Sequence, residues 1–202
     1  MIGEYPEKEV LNFGPILFKT RIEQHILERL RKEGDEMVAD NVRNYEKNLA
    51  GHIKNQHRFS EETIQWFFHN TLPYFRDYQT AFEKHCDNIK RGQYYYKALW
   101  INYMKAGEFN PAHVHTADLS FVIFVDVPKD IHKESINHKA DSANPGHISF
   151  FHGEDNDYSI SSMAFAPVTG DMFIFPAKLR HFVTPFKSDV TRISVSGNLE
   201  FK

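Results

Sequence analysis

After Gly92 the chain becomes a succession of short runs rich in β-branched and aromatic residues, and this feature constrains the fold most. The runs are YYYKALWINYM (94–104), LSFVIFVDV (119–127), GHISFFH (146–152), DMFIFP (171–176) and TRISVSGNLEF (191–201), punctuated by Pro, Gly, Asn and Asp. Side chains of these types suit a pleated, partly buried surface. No helical pattern intervenes between successive runs, so an antiparallel sandwich or jelly roll is expected rather than a parallel α/β sheet. The polar, charged stretch 128–146 is expected to be a long surface loop.

Before Gly92 the patterning is helical. Thr20-Arg21-Ile22-Glu23 matches a capping box, with Ile22, Ile26, Leu27 and Leu30 following at helical spacing and Gly34 as the expected stop. A second helical stretch begins near Ser60 and carries Ile64, Trp66, Phe67, Phe68, Leu72, Phe75 and Phe82, with Pro73 expected to break or kink it. This aromatic stripe reads as a helix face packed on a sheet rather than a ligand wall. The polar segment 48–60 between the two helices is expected to be a solvated loop. The expected organisation is a single domain over 1–202, mainly β with N-terminal helices (α+β). In it a mostly helical part, 1–92, packs on a β core, 93–202.

Composition narrows the partners. The chain has 202 residues, 41% of them hydrophobic and 25% charged, as in ordinary globular proteins with one substantial core. Its formal net charge is -3 and its basic residues form no extended block, which argues against nucleic acid as a partner. A single cysteine, Cys86, cannot form an internal disulfide. No stretch of about 18 apolar residues occurs and the N-terminal residues are acidic, so neither membrane nor export is expected and the cytoplasm is the expected location.

The chemistry lies in the second half. His113 and His115 stand one residue apart in NPAHVHTADL. In an extended strand, residues i and i+2 share a face with Cα atoms roughly 6.5–7 Å apart. Two imidazoles so placed can meet one metal ion at bonds of about 2 Å. A third ligand must come from another strand, and His181, after GDMFIFPAKLR, is the leading candidate ahead of His132, His138, His147 and His152. Eleven residues on, Arg192, Ser194, Ser196 and Asn198 alternate onto one strand face. That face is either solvated or, through a guanidinium beside a hydroxyl, a grip for a carboxylate.

His113-x-His115, His181 closing GDMFIFP…H, and Arg192-x-Ser194 together resemble the iron(II)/2-oxoglutarate-dependent oxygenases. The stretch from Trp100 to Asn198 is similar to a group of such enzymes from bacteria and marine phages, related to prolyl hydroxylases. The resemblance implies a double-stranded β-helix (jelly roll) core with helices packed outside it. It implies Fe(II) held by His113 and His181, and 2-oxoglutarate bound through its distal carboxylate at Arg192 with support from Ser194. It further implies a dioxygenase that uses O2, releases succinate and CO2, and hydroxylates a C–H bond. The substrate it suggests is a protein residue such as proline, or a polar small molecule.

One departure separates this chain from that pattern. The family commonly has His-x-Asp or His-x-Glu, whereas the matching position here is His115. The expected ligand set is therefore His113, His115 and His181. The alternatives are Asp118 re-aimed by a bulge, or a shifted His115-x-Ala117 register without a carboxylate. A three-histidine set also invites comparison with cupins, since Gly107 and His113-x-His115, then Gly170, Pro176 and His181, match parts of their motifs. The cupin glutamate is missing after His115, however, and Lys178 and Pro185 stand where glycine and asparagine are usual. A non-catalytic jelly-roll binding module is the remaining alternative.

Overall fold

A computed structural model describes residues 14–45, 47, 49–85, 92–139 and 144–202. Its elements run β1 (Phe18–Arg21), α1 (Gln24–Ala39), β2 (Gln56–Arg58), α2 (Glu61–His85), β3 (Tyr94–Met104), β4 (Asn110–His113) and β5 (Leu119–Asp126). There follow α3 (Lys129–Ile136), β6 (Ile148–Phe151), β7 (Ser162–Phe165), β8 (Asp171–Pro176), β9 (Arg180–Val183) and β10 (Arg192–Phe201). The protein is mainly β. One sheet has the order β1-β8-β5-β10-β3-β2 and the other β4-β9-β6-β7, and every pairing is antiparallel.

Side-chain alternation makes the six-stranded sheet the middle layer. In β5, Phe121, Ile123 and Val125 join a core with α1 and α2, while Val122 and Phe124 join a second core with the four-stranded sheet. Both faces are covered, and all but the last residue of LSFVIFVD are buried. On the helix side Phe67 stacks on Phe121 at 5.5 Å, and Phe75 meets the same ring edge-on at 5.5 Å. Fully burying a side chain of this size contributes about 1.5–3 kcal/mol. Between the sheets Phe150 packs on Phe173 and Phe175.

Several expectations change. Thr20 does not cap a helix: it lies in β1 opposite Met172, and α1 begins at Gln24 with no side-chain cap. Edge pairing to β8 has claimed Thr20, whose hydroxyl the capping box would use. Gly34 does not end α1, which continues to Ala39. A Cβ at Gly34 would overlap Ile101 Cδ1 and lie 2.6 Å from the Tyr103 hydroxyl, so the glycine lets the helix approach the sheet closely.

Pro73 sits inside α2 without interrupting it. The helix starts where expected, with the Ser60 hydroxyl accepting the Thr63 N–H at 3.1 Å. The segment 48–60 is not simply solvated, because Gln56–Arg58 forms β2 on the edge of β3 and Gln56 and His57 are buried. The stretch 128–146 contains α3, whose Ile131 is buried in the inter-sheet core. Sequence reading also passes over β1, β2, β4, β7 and β9, all four residues or shorter. Cys86 lies outside the described residues. No described helix is long and apolar enough to cross a membrane.

Candidate metal and co-substrate site

His113 is the last residue of β4, and His181 on β9 is its register partner. The strand ends there, so His115 is not its i+2 neighbour within a strand. Beyond the end of β4 the His115 amide N–H donates to the Ala177 carbonyl at 2.8 Å. The His115 side chain still lies with the other two. Ring centroids are 4.3 Å apart for His113 and His181, 4.9 Å for His113 and His115, and 5.2 Å for His115 and His181. One ligand nitrogen from each ring lies within 4.8 Å of the other two.

Hydrogen bonds decide which nitrogens are available. His113 Nδ1 lies 2.7 Å from the Pro111 carbonyl and His181 Nδ1 lies 2.9 Å from the Leu179 carbonyl. A carbonyl only accepts, so each Nδ1 carries the proton and each Nε2 presents a lone pair. This orientation by a backbone carbonyl is the usual support for a metal-binding imidazole. Burial pushes all three pKa values down. His181 falls to about 3, from burial and then the neighbouring His113, and His115 falls to about 4 for the same two reasons. His113 is also lowered by burial, against the opposing effect of its bond to Pro111. All three rings are neutral at pH 7.

Among the described residues the cluster holds no carboxylate. Asp118 is committed elsewhere: its Oδ2 accepts the Phe201 amide N–H at 2.8 Å, holding the chain to the end of β10. His147 Nε2 pairs with the Ser135 hydroxyl at 3.0 Å, and His132, His138 and His152 likewise lie outside the cluster.

Beside the imidazoles, at the start of β10, lies Arg192, 2% exposed. Its Nη1 donates to the Gly146 carbonyl at 2.9 Å, its Nη2 faces Met104 Sδ at 2.9 Å, and its Nε has no partner. No carboxylate meets it among the described residues. Burial lowers its pKa to about 10, which leaves it charged at pH 7. A buried cation without a counter-ion is costly, and a carboxylate ligand would remove that cost. Ser194 is also buried, on the same strand face. Its hydroxyl lies 3.4 Å from Asn102 Nδ2, and Asn102 Oδ1 accepts a 2.6 Å bond from Gln56 Nε2. Arg192, Ser194, Asn102 and the three histidines line one narrow cavity.

The polar face of β10 is therefore internal rather than solvated. Trp100, expected to serve packing, lines this cavity with Asn102, while Tyr103 points to the opposite face and donates to Asp35. Met104 on Arg192 was missed, although its parity with Trp100 and Asn102 in β3 marks the same face. Gln56 had no signal, since nothing in the polar segment 48–60 suggests a strand. A second cavity of about 470 Å³ shares Trp100, His113 and His115 with the first and opens beyond them.

Solved structures of similar fold are a Pseudomonas putida prolyl-4-hydroxylase and a viral collagen prolyl hydroxylase from Paramecium Bursaria Chlorella virus-1 solved as a 2OG complex. The first is 14% identical with a TM-score of 0.58, covering 92% of each chain. The second is 12% identical with a TM-score of 0.55, covering 91% of this chain and 94% of the other. A Trichoplax adhaerens prolyl hydroxylase bound to a hypoxia inducible factor peptide fragment is 8% identical with a TM-score of 0.53, covering 93% and 83%. A search of curated proteins found no match. The family described as "Putative 2OG-Fe(II) oxygenase" matches residues 98–198, from within β3 through the histidines to Arg192 and Ser194. With half of its length matched, the chain belongs to the 2OG-Fe(II) oxygenase family.

Proposed function

We propose that the protein is an Fe(II)- and 2-oxoglutarate-dependent dioxygenase with a jelly-roll core, and that His113, His115 and His181 hold the metal. Three neutral imidazole nitrogens converging from the β4–β9 pair and the segment just after β4 fit a divalent transition metal. The observation that carries the reading is Arg192, a buried guanidinium without a carboxylate partner among the described residues, in the cavity the imidazoles share. The distal carboxylate of 2-oxoglutarate is its natural partner, with the Ser194 hydroxyl as a second donor.

Bound Fe(II) would supply the oxidative decarboxylation of 2-oxoglutarate and the oxygen activation coupled to it. The overall change is R–H + O2 + 2-oxoglutarate → R–OH + succinate + CO2. The chain's own residues orient the imidazoles through the Pro111 and Leu179 carbonyls, hold the co-substrate carboxylate, and exclude water with Phe150 and Phe175 packed around His181. The substrate is a protein residue or a polar small molecule, the first being what the prolyl hydroxylases of similar fold suggest. Family membership favours this reading over a cupin-type enzyme or a non-catalytic binding module.

Thermal unfolding with the unreactive analogue N-oxalylglycine and a divalent metal tests the co-substrate assignment. Ligand bound only by the folded state stabilises it by about 2.7 kcal/mol at a concentration 100 times its Kd. The wild type is expected to show a saturable rise in Tm that Arg192→Ala loses. No rise in the wild type, or an equal rise in Arg192→Ala, would overturn the assignment.

A further inference from the structure

We infer that the primary substrate is a small organic anion, taken up in the second cavity with its acidic group at a basic rim. This inference rests on the oxygenase reading. The cavity, of about 470 Å³, lies in the usual range for small-molecule sites. His113, His115 and Trp100 line it, so its occupant lies against the proposed metal site. The Trp100 ring is 6.1 Å from that of His115 and 6.2 Å from that of Tyr45, giving an aromatic surface that leads to the histidines. Flat or aliphatic carbon fits such a surface.

The charged side chains along the described lining are Arg58 and Lys97, both basic, and no Asp or Glu is among them. Each is placed by a specific backbone feature. Arg58 is the last residue of β2, directly opposite Trp100 in the ladder. Its Nε is buried without a hydrogen-bond partner, a donor that lacks an acceptor. Lys97 is the extra residue of a β-bulge: β10 pairs Asn198 with Ala98 and then Leu199 with Tyr96, skipping it. A bulge re-aims a side chain, and this one brings a lysine to the cavity side next to Ala98.

Both cations also touch carboxylates, Arg58 with Glu61 at 2.9 Å and Lys97 with Glu200 at 3.2 Å. These pairs are partly exposed, and such pairs contribute little, so an incoming anion can share or displace them. A carboxylate or a phosphate would satisfy the rim equally.

Tryptophan fluorescence provides the test, with titrations of 3-phenylpropionate, phenyl phosphate and the neutral 3-phenylpropionamide. They are run on metal-loaded protein saturated with N-oxalylglycine, so that Arg192 is occupied. At least one anion is expected to bind about tenfold or more tightly than the amide, as charge-assisted hydrogen bonds predict. The stronger anion identifies the acidic group. In Arg58→Gln/Lys97→Gln protein the preference is expected to fall below about twofold, with the N-oxalylglycine Tm shift retained as proof of folding. Equal binding of acid and amide, a preference that survives the double substitution, or no binding would overturn the inference. So would succinate release stimulated by a blocked, uncharged prolyl peptide and not by either anion. Should N-oxalylglycine itself fail to bind, the oxygenase reading falls and the substrate role with it, and the same titrations in Arg192→Ala protein still decide whether the cavity binds a small organic anion.

Discussion

His115 stands two residues after His113, where the oxygenase pattern that the sequence resembles has a carboxylate, and burial keeps its ring neutral. A carboxylate in this pocket would face heavy desolvation, whereas a neutral ring is held without a charge. The three imidazoles proposed as ligands then contribute no negative charge. The same burial makes the metal-free protein acid-sensitive. Unfolded histidines titrate near the usual 6.5, while His115 and His181 remain neutral in the folded state until about 4 and 3. Between those values the unfolded chain binds more protons, so stability rises with pH. The histidines' contribution is complete above 6.5 and is lost as pH falls toward 3. Urea unfolding of chelator-treated protein is expected to show a midpoint falling between pH 6.5 and 4. Replacing His115 by glutamine is expected to reduce that slope; an unchanged slope would mean that the ring is already charged or solvated. At this scale the sequence was informative about identity and silent about setting. Spacing and resemblance pointed to His113, His115, His181, Arg192 and Ser194, which the structure brings to one cavity. The engagement of Asp118 by Phe201 depends on residues 83 positions apart and had no local trace.

Secondary-structure elements were legible where one local signal dominated and illegible where a long-range partner did. β3 and β8 have the expected bounds because their residues favour a strand and are buried in one. The capping box at Thr20 failed because Thr20 pairs with Met172, far along the chain. Strands of three or four residues such as β2 and β4 exist through their partners and carry too little pattern to be seen alone. Gly34 gives a sharp test of packing against propensity. On propensity alone, Gly34→Ala in α1 would stabilise the protein by about 1 kcal/mol. The new Cβ, however, would overlap buried Ile101 and press on a Tyr103 hydroxyl held at 2.7 Å by Asp35. Overpacking of that kind costs about 1–3 kcal/mol, and packing is expected to win. The urea midpoint of Gly34→Ala is expected below that of the wild type; a higher midpoint would show that α1 can shift off the sheet freely.

On the scale of the whole molecule, two cores share the six-stranded sheet and leave the site between the sheets. The helix-side core, centred on Phe67, Phe75 and Phe121, fixes the outer face of β3, β5 and β10. The opposite face of those strands is then free to carry Trp100, Asn102, Arg192 and Ser194 toward the histidines of the smaller sheet. Burial of a charged Arg192 is supportable because a rigid sheet fixes it and a ligand can complete its hydrogen bonds. Mainly β character and antiparallel pairing were readable from the runs after Gly92. The split into six and four strands was not, because it depends on which edges the short strands join. This arrangement is expected to turn over 2-oxoglutarate at an iron held by the three histidines. Quantifying succinate released from 2-oxoglutarate, with and without Fe(II) and O2, tests it most directly. The wild type is expected to release succinate only when both are present, and His181→Ala to release none while remaining folded. Absence of succinate at any protein concentration, or equal release by His181→Ala, would mean that these histidines do not form an oxygenase centre.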